Sequence, residues 1–158
     1  MTKIIQGKNN GRGKKIVIIA SKFNEFITKR LLDGCLDELS RCNVKKSDVT
    51  VAWVPGAYEI PVTASKFAKK KNVHAVICLG AVIRGETIHF DLVAHGVAQG
   101  VMQVSLMTGK PIILGVVAVD TVNQAYRRSE EKGDNKGRDA ALAVIEMIDV
   151  LKQAAGNK

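Results

Sequence analysis

Apolar and polar positions follow one another along the chain in blocks, an unbroken apolar run and then a stripe of helical period, four times over. Ile16 to Ala20 is the first run, the pattern of a strand covered on both faces. Phe26, Ile27, Leu31, Leu32, Cys35, Leu36 and Leu39 then recur near every 3.6 residues and predict one amphipathic helix. Val49 to Val54 is the second run and stops at Pro55-Gly56. Pro61 suits the first turn of a helix, which continues through Phe67 to the Lys69–Lys71 run, cations well placed at a helix C-terminus. Ala75 to Ile83 is the most apolar strand, followed by helix-like sequence from Asp91 to Met107. Ile112 to Val119 comes next, then a helix from about Thr121 to Glu130. A last helix from about Arg138 carries Ala141, Val144, Ile145, Ile148 and Leu151 on one face. Four strand–helix units in series predict an α/β fold, a three-layer αβα sandwich with a four-stranded parallel sheet and right-handed crossovers. Upstream, residues 7–14 are a polar, glycine-rich connector that sets an apolar tip, Ile4–Ile5, apart from the main fold.

The third helix breaks the pattern. From Phe90 to Met107 its only formal charge is Asp91, and Ala94, Gly96, Ala98 and Gly100 punctuate the rest. A helix apolar nearly all round has to be covered on more than one side. One domain of 158 residues leaves little to cover it, so an oligomer is expected, with this helix at or near the subunit interface.

Length and composition add limits. At roughly 100–200 residues per domain the chain reads as a single domain, 1–158, with 46% hydrophobic and 25% charged residues, inside the globular range. No apolar run approaches the ~18–20 residues of a membrane span, and the first residues carry no signal-peptide apolar region; a cytoplasmic location is expected. Cys35, Cys42 and Cys78 are odd in number and lack C-x-x-C spacing, so neither a disulfide framework nor a zinc site is expected. Lys and Arg number 24 against 15 Asp and Glu, a net charge of +9. That charge attracts anions, but the basic residues are scattered and no aromatics interleave them, so nucleic acid is expected only as a non-specific partner.

Ligands of open parallel sheets bind at the carboxyl ends of the strands. Four loops therefore matter: Ser21 to Asn24, Pro55 to Glu59, Arg84 to His89, and the stretch from Asp120 to Arg128. The third is the most suggestive. Gly85 permits close backbone approach, Glu86-Thr87 lead into a helix start that favours an anion such as phosphate, and His89 brings a side chain able to give or take a proton near neutral pH. Thr87 as a plain helix cap and His89 packed on Phe90 are the bland alternatives. His74 reads as a surface residue and His95 as a packed or interface histidine. No Walker A or G-x-G-x-x-G pattern occurs, and the residues by themselves support a small phosphorylated ligand.

Four motifs in order then match a known family. They are Phe23-Asn24, Val54-Pro55-Gly56-Ala57-Tyr58-Glu59-Ile60-Pro61, Val82-Ile83-Arg84-Gly85-Glu86-Thr87-Ile88-His89-Phe90-Asp91, and Gln124-Ala125 to Arg128 followed by Asn135-Lys136-Gly137. Over nearly its whole length the sequence resembles the 6,7-dimethyl-8-ribityllumazine synthases of riboflavin synthesis, which have a flavodoxin-like fold. The resemblance implies condensation of 5-amino-6-(D-ribitylamino)uracil with 3,4-dihydroxy-2-butanone 4-phosphate, without metal or organic cofactor. Carried over by position, Phe23 stacks on the pyrimidine, with Ala57, Tyr58, Ala81, Val82 and Ile83 around it, and Glu59 holds the ribityl chain. Glu86, Thr87 and Arg128 hold the phosphate, and His89 shuttles protons. Lys136 and Asp139 are expected either to form a supporting ion pair near Arg128 or to be ordinary helix-start charge. Tyr58 stands where the family most often has Phe, and Leu114 where an aromatic from the neighbouring subunit commonly closes over the pyrimidine.

The resemblance also implies active sites shared between adjacent subunits of a pentamer, and an Ile4–Ile5 strand added to a neighbour's sheet. Family members remain pentamers or decamers, or close into icosahedral shells of pentamers; the absence of an insertion between Arg128 and Asn135 points to the shell, while Glu130-Glu131-Lys132-Gly133 in place of the Gly-Thr-Lys stretch common in shell-formers points away from it. Two rival readings are a basic shell that binds nucleic acid or cargo with idle catalytic motifs, and a flavin binder.

Overall fold

A computed structural model of the chain describes residues 1–156. Four strands, β1 (Ile16–Ser21), β2 (Val49–Val54), β3 (Ala75–Ile83) and β4 (Ile112–Val119), form one parallel sheet in the order β2-β1-β3-β4. The register runs Ile16 opposite Val49 and Ala75, and Val76 opposite Ile112. Helices α1 (Glu25–Arg41), α2 (Ile60–Ala68), α3 (His89–Thr108), α4 (Val122–Arg127) and α5 (Lys136–Ala154) fill the connections. Side chains alternate between the faces of a strand, so the apolar runs feed two cores. Ile16, Ile18, Ile77 and Leu79 pack with α1 and α5; Val17, Ile19, Val76 and Cys78 pack with α2 and α3.

The predicted three-layer sandwich is therefore present, with corrections at its margins. Covering on both faces holds for the central strands β1 and β3, but β2 and β4 are edges and ten of their fourteen residues stay exposed or half-buried. Phe26 and Leu36 belong to the apolar stripe of α1 by spacing, yet both are exposed. Phe26 instead meets the Tyr126 ring, centroids 5.8 Å apart. Helix α4 ends at Arg127 rather than near Glu130, because the chain turns back on itself: Ser129 and Asn135 form an antiparallel bridge, and Lys136 N–H donates to the Arg128 carbonyl at 2.9 Å. Residues 1–10 form no strand within the chain. Instead they run along α5, where Asp149 accepts from the Lys8 N–H and Gln153 donates to the Gln6 carbonyl, both at 2.9 Å.

The small residues of α3 serve the fold itself. A Cβ on Gly96 would stand 2.8 Å from the Tyr58 ring, and one on Gly100 would stand 2.7 Å from Pro61, so these glycines let α3 seat against the loop after β2. Leu92, Met102, Leu106 and Met107 of α3 remain exposed, and exposed apolar side chains grouped on one helix mark a contact surface. No described helix is long and apolar enough to cross a membrane.

Gly137, in the first turn of α5, is the tightest helix contact. A Cβ there would overlap the Leu31 backbone of α1, and the neighbouring Asn135 caps α5 through the Gly137 and Arg138 N–H groups. Backbone cannot move aside as a side-chain end can, so Gly137→Ala is expected to destabilise by about 1–3 kcal/mol or more. Denaturant unfolding measures it; an unchanged midpoint would refute this account of the α1–α5 contact.

Candidate active site

The strand ends hold the site because the loops after β1 and β2 are tied together by main-chain bonds and the first is tied to β3 by a side chain. Lys22 and Phe23 N–H groups donate to the Val54 and Pro55 carbonyls at 2.8 and 3.0 Å, which fixes the loop after β1 to the loop after β2. Asn24 takes a left-handed backbone, φ 58°, an uncommon state that Asn tolerates. From it, the Asn24 Nδ2 donates to the Ala81 carbonyl at 2.9 Å and ties the first loop to β3. The result is that Phe23 stands out from the surface, 72% exposed, as does Tyr58 at 63%.

Both rings line a cleft of about 880 Å³ that also reaches the start of α3. Phe23, Ala57, Tyr58 and Glu59 from the first two loops line it with Ala81, Val82 and Ile83 from the end of β3 and Thr87 and His89 from the start of α3. Glu86 is exposed and is not among the lining residues. The helix start is organised by Thr87, whose Oγ1 accepts from the His89 N–H at 3.3 Å. Thr87 thus holds the first N–H of α3 and lines the cleft, while His89 is exposed at the cleft wall rather than packed away. Arg84 braces the loop from behind. Its guanidinium lies 4.3 Å from the Phe90 ring centroid, donates to Asp120 at 2.8 Å and reaches Asp91 at 3.3 Å. The hydrogen bonds to Asp120 and Asp91 raise its pKa further.

The lining of this cleft contains no lysine or arginine. The cations lie elsewhere. Leu114, Arg128 and Lys136 line a second depression of about 370 Å³, between β4 and the start of α5, together with Asp139 and Ala140. Among the site residues expected from the sequence, one group therefore gathers at the His89 cleft and another at the β4 edge, and the two groups line different depressions.

The β4 edge carries an ionic chain that the sequence reading found only in part. Lys136 Nζ is 3.0 Å from Asp139, the expected pair. Asp134 is the addition: its carboxylate accepts from Arg128 Nη1 at 2.6 Å and lies 3.2 Å from Lys136 Nζ. The Arg128 hydrogen bond lowers the Asp134 pKa, with Lys136 adding to it against a desolvation cost. Bonds to Asp139 first and Asp134 second raise Lys136. A depressed carboxylate stabilises the turn above the ordinary aspartate value, and that contribution is lost as pH falls through the lowered one. The closed turn from Arg128 to Lys136 put Asp134 in this place, and spacing alone offered no sign of it.

The remaining candidates are structural. Cys35, Cys42 and Cys78 are buried and free, and burial pushes the Cys35 and Cys78 thiols up to about 12, so they are poor nucleophiles. His74 is exposed and accepts from the Lys15 N–H at 2.9 Å; desolvation and then the charges of Lys14 and Lys110 lower its pKa. His95 Nδ1 lies 2.7 Å from the Asp91 carbonyl one turn back on α3.

An apolar cleft with stacking rings, one carboxylate and one imidazole at a helix start suits a planar heterocycle bearing a polar tail. Comparison with known families agrees: the model for 6,7-dimethyl-8-ribityllumazine synthase matches residues 13–152. The match spans all four strands and carries every loop described above, and the chain belongs to the 6,7-dimethyl-8-ribityllumazine synthase family, transferases of riboflavin biosynthesis.

Proposed function

We propose that this chain condenses 5-amino-6-(D-ribitylamino)uracil with 3,4-dihydroxy-2-butanone 4-phosphate, and that it does so in a site built by two subunits. The observation that carries the reading is the division of labour between the two depressions. The cleft offers rings, a carboxylate and an imidazole but no cation, while Arg128 and Lys136 stand at the β4 edge with no ring and no histidine beside them. Neither half can bind a pyrimidine and a phosphate together. Membership of the family implies oligomerisation and small-molecule substrates, and the exposed apolar side chains of α3 supply a face for packing copies around an axis. A neighbour's β4 edge set against the cleft completes the site.

In that arrangement Phe23 stacks on the pyrimidine beside Ala81, Val82 and Ile83, with Ala57 and Tyr58 around it. Glu59 accepts from the ribityl hydroxyls. The neighbour's Arg128 holds the phosphate, supported by Lys136 and by Thr87 and Glu86 at the helix start. Leu114, from the same edge, covers the ring without stacking on it. The amine attacks the ketone carbon, and the carbinolamine loses water to an imine. A proton then leaves the adjacent carbon as the C–O bond to phosphate breaks, the enol left behind becomes a ketone, and the second nitrogen attacks that carbonyl and closes the ring with loss of a second water. His89 is the group placed to carry these protons. General acid–base catalysis of this kind contributes roughly 10²–10⁴-fold, and holding two reactants in contact supplies much of the rest.

The assembly reading is a pentamer, with closure into a shell favoured by the short Arg128–Asn135 connection. The Ile4–Ile5 tip, exposed and unpaired within its own chain, is suited to join a neighbour's edge strand. A cytoplasmic location goes with this function. The test is to supply the purified protein with both substrates, following lumazine absorbance and phosphate release. Equimolar appearance of both products supports the reading, and neither product from a correctly assembled protein refutes it.

A further inference from the structure

Asp134 has no task in the chemistry just described, yet it occupies the guanidinium that the phosphate needs. Its carboxylate bonds Arg128 at 2.6 Å and approaches Lys136 at 3.2 Å, while Asp139 pairs Lys136 at 3.0 Å. Two cations and two carboxylates leave the group without net charge. The turn itself is held by main-chain bonds, Glu130 N–H to the Asp134 carbonyl and Lys136 N–H to the Arg128 carbonyl, both at 2.9 Å. The Asp134 side chain is 37% exposed, so its carboxylate can swing into water while the backbone stays in place.

We propose that Asp134 is the exchange partner of the phosphate at Arg128, holding the guanidinium while the site is empty, yielding to the substrate's phosphate, and returning as inorganic phosphate leaves. This rests on Arg128 being the phosphate ligand. Carboxylate and phosphate present matching oxygens to the same planar fork and make charge-assisted bonds of similar kind, so they compete. Phosphate is the leaving group of the reaction, and an arginine already paired with a neighbouring carboxylate releases it faster than a bare one. The cost falls equally on substrate and transition state, which makes it an effect on KM and product release rather than on the chemical step.

The experiment measures inorganic phosphate affinity on the assembled full-length protein by calorimetry, and phosphate inhibition and KM in the assay. Wild type is compared with Asp134→Asn, Asp139→Asn and Arg128→Ala. Asp134→Asn keeps an acceptor oxygen and removes the charge. It is expected to bind phosphate about 3–10-fold more tightly, in keeping with the loss of an exposed charge-assisted pair, and to lower the KM for the phosphorylated ketone but not for the pyrimidine. Asp139→Asn, which frees only Lys136, is expected to gain less than about twofold. Unchanged or weaker phosphate binding in Asp134→Asn, or an equal gain in both Asn variants, overturns the proposal. Phosphate binding by Arg128→Ala as tight as wild type would overturn the underlying site reading as well. Loss of binding there, with Asp134→Asn unchanged, overturns only the exchange.

Discussion

Arg128→Ala is expected to lower kcat/KM for the phosphorylated ketone by roughly 10²–10³-fold, the size of effect seen when a fixed donor to developing charge is removed. The argument starts from the cleft, whose lining includes neither lysine nor arginine. If phosphate departs as a dianion, its positive partner comes from the β4 edge, where Arg128 carries the only guanidinium among the residues lining that depression. Both KM and kcat should suffer, because the same contact holds the substrate and stabilises the leaving group. Arg128→Lys should recover only part of the loss, since an ammonium lacks the planar fork. Folding should be nearly untouched: Arg128 is a half-exposed side chain, and Asp134 keeps Lys136 as a partner. Steady-state kinetics with thermal unfolding beside them checks both halves, and a loss below about tenfold would contradict the role given to Arg128.

His89→Ala is expected to reduce kcat by roughly 10²-fold while leaving both KM values within about threefold. His89 begins α3 and stands exposed at the cleft wall, with its main-chain N–H held by Thr87. The backbone of the helix start therefore survives removal of the ring. Residual activity is expected because two substrates held face to face react without a dedicated proton carrier, only more slowly. Added imidazole should restore part of the rate, which a merely structural histidine would not allow. An unchanged kcat, or no rescue together with a collapsed KM, would contradict proton transfer as its task.

Much of this was legible before the structure, for physical reasons that particular residues show. β1 and β3 are buried on both faces, so Ile16 to Ala20 and Ala75 to Ile83 read as unbroken apolar runs, the second matching β3 at both ends and the first stopping one residue short of β1's Ser21. Edge strands read less clearly: Val51 and Trp53 on β2 are apolar yet partly exposed, and nothing in their sequence says which neighbour is missing. Periodicity misplaced Phe26 because a stripe gives a direction and not a depth. The short α4 was overextended because its end is set by the bridge between Ser129 and Asn135, a contact between residues that spacing does not connect. The charge-poor third helix pointed to a subunit interface, while the close approach of Tyr58 to Gly96 and of Pro61 to Gly100 within the chain had no sign in the spacing. The site residues were legible one loop at a time. Their separation into two depressions was not, since the direction a loop faces depends on the crossover that carries it.

The shared site is the central claim, and mixed assemblies test it most directly. His89→Ala and Arg128→Ala chains, each nearly inactive alone, are co-expressed in equal amounts and purified as one oligomer. If the cleft of one subunit works with the β4 edge of the next, random placement around a ring leaves about one site in four with both groups intact. The account predicts recovery to about a quarter of wild-type kcat per chain. Activity no greater than the average of the two separate variants would show that each site is completed within one chain, and would contradict the account.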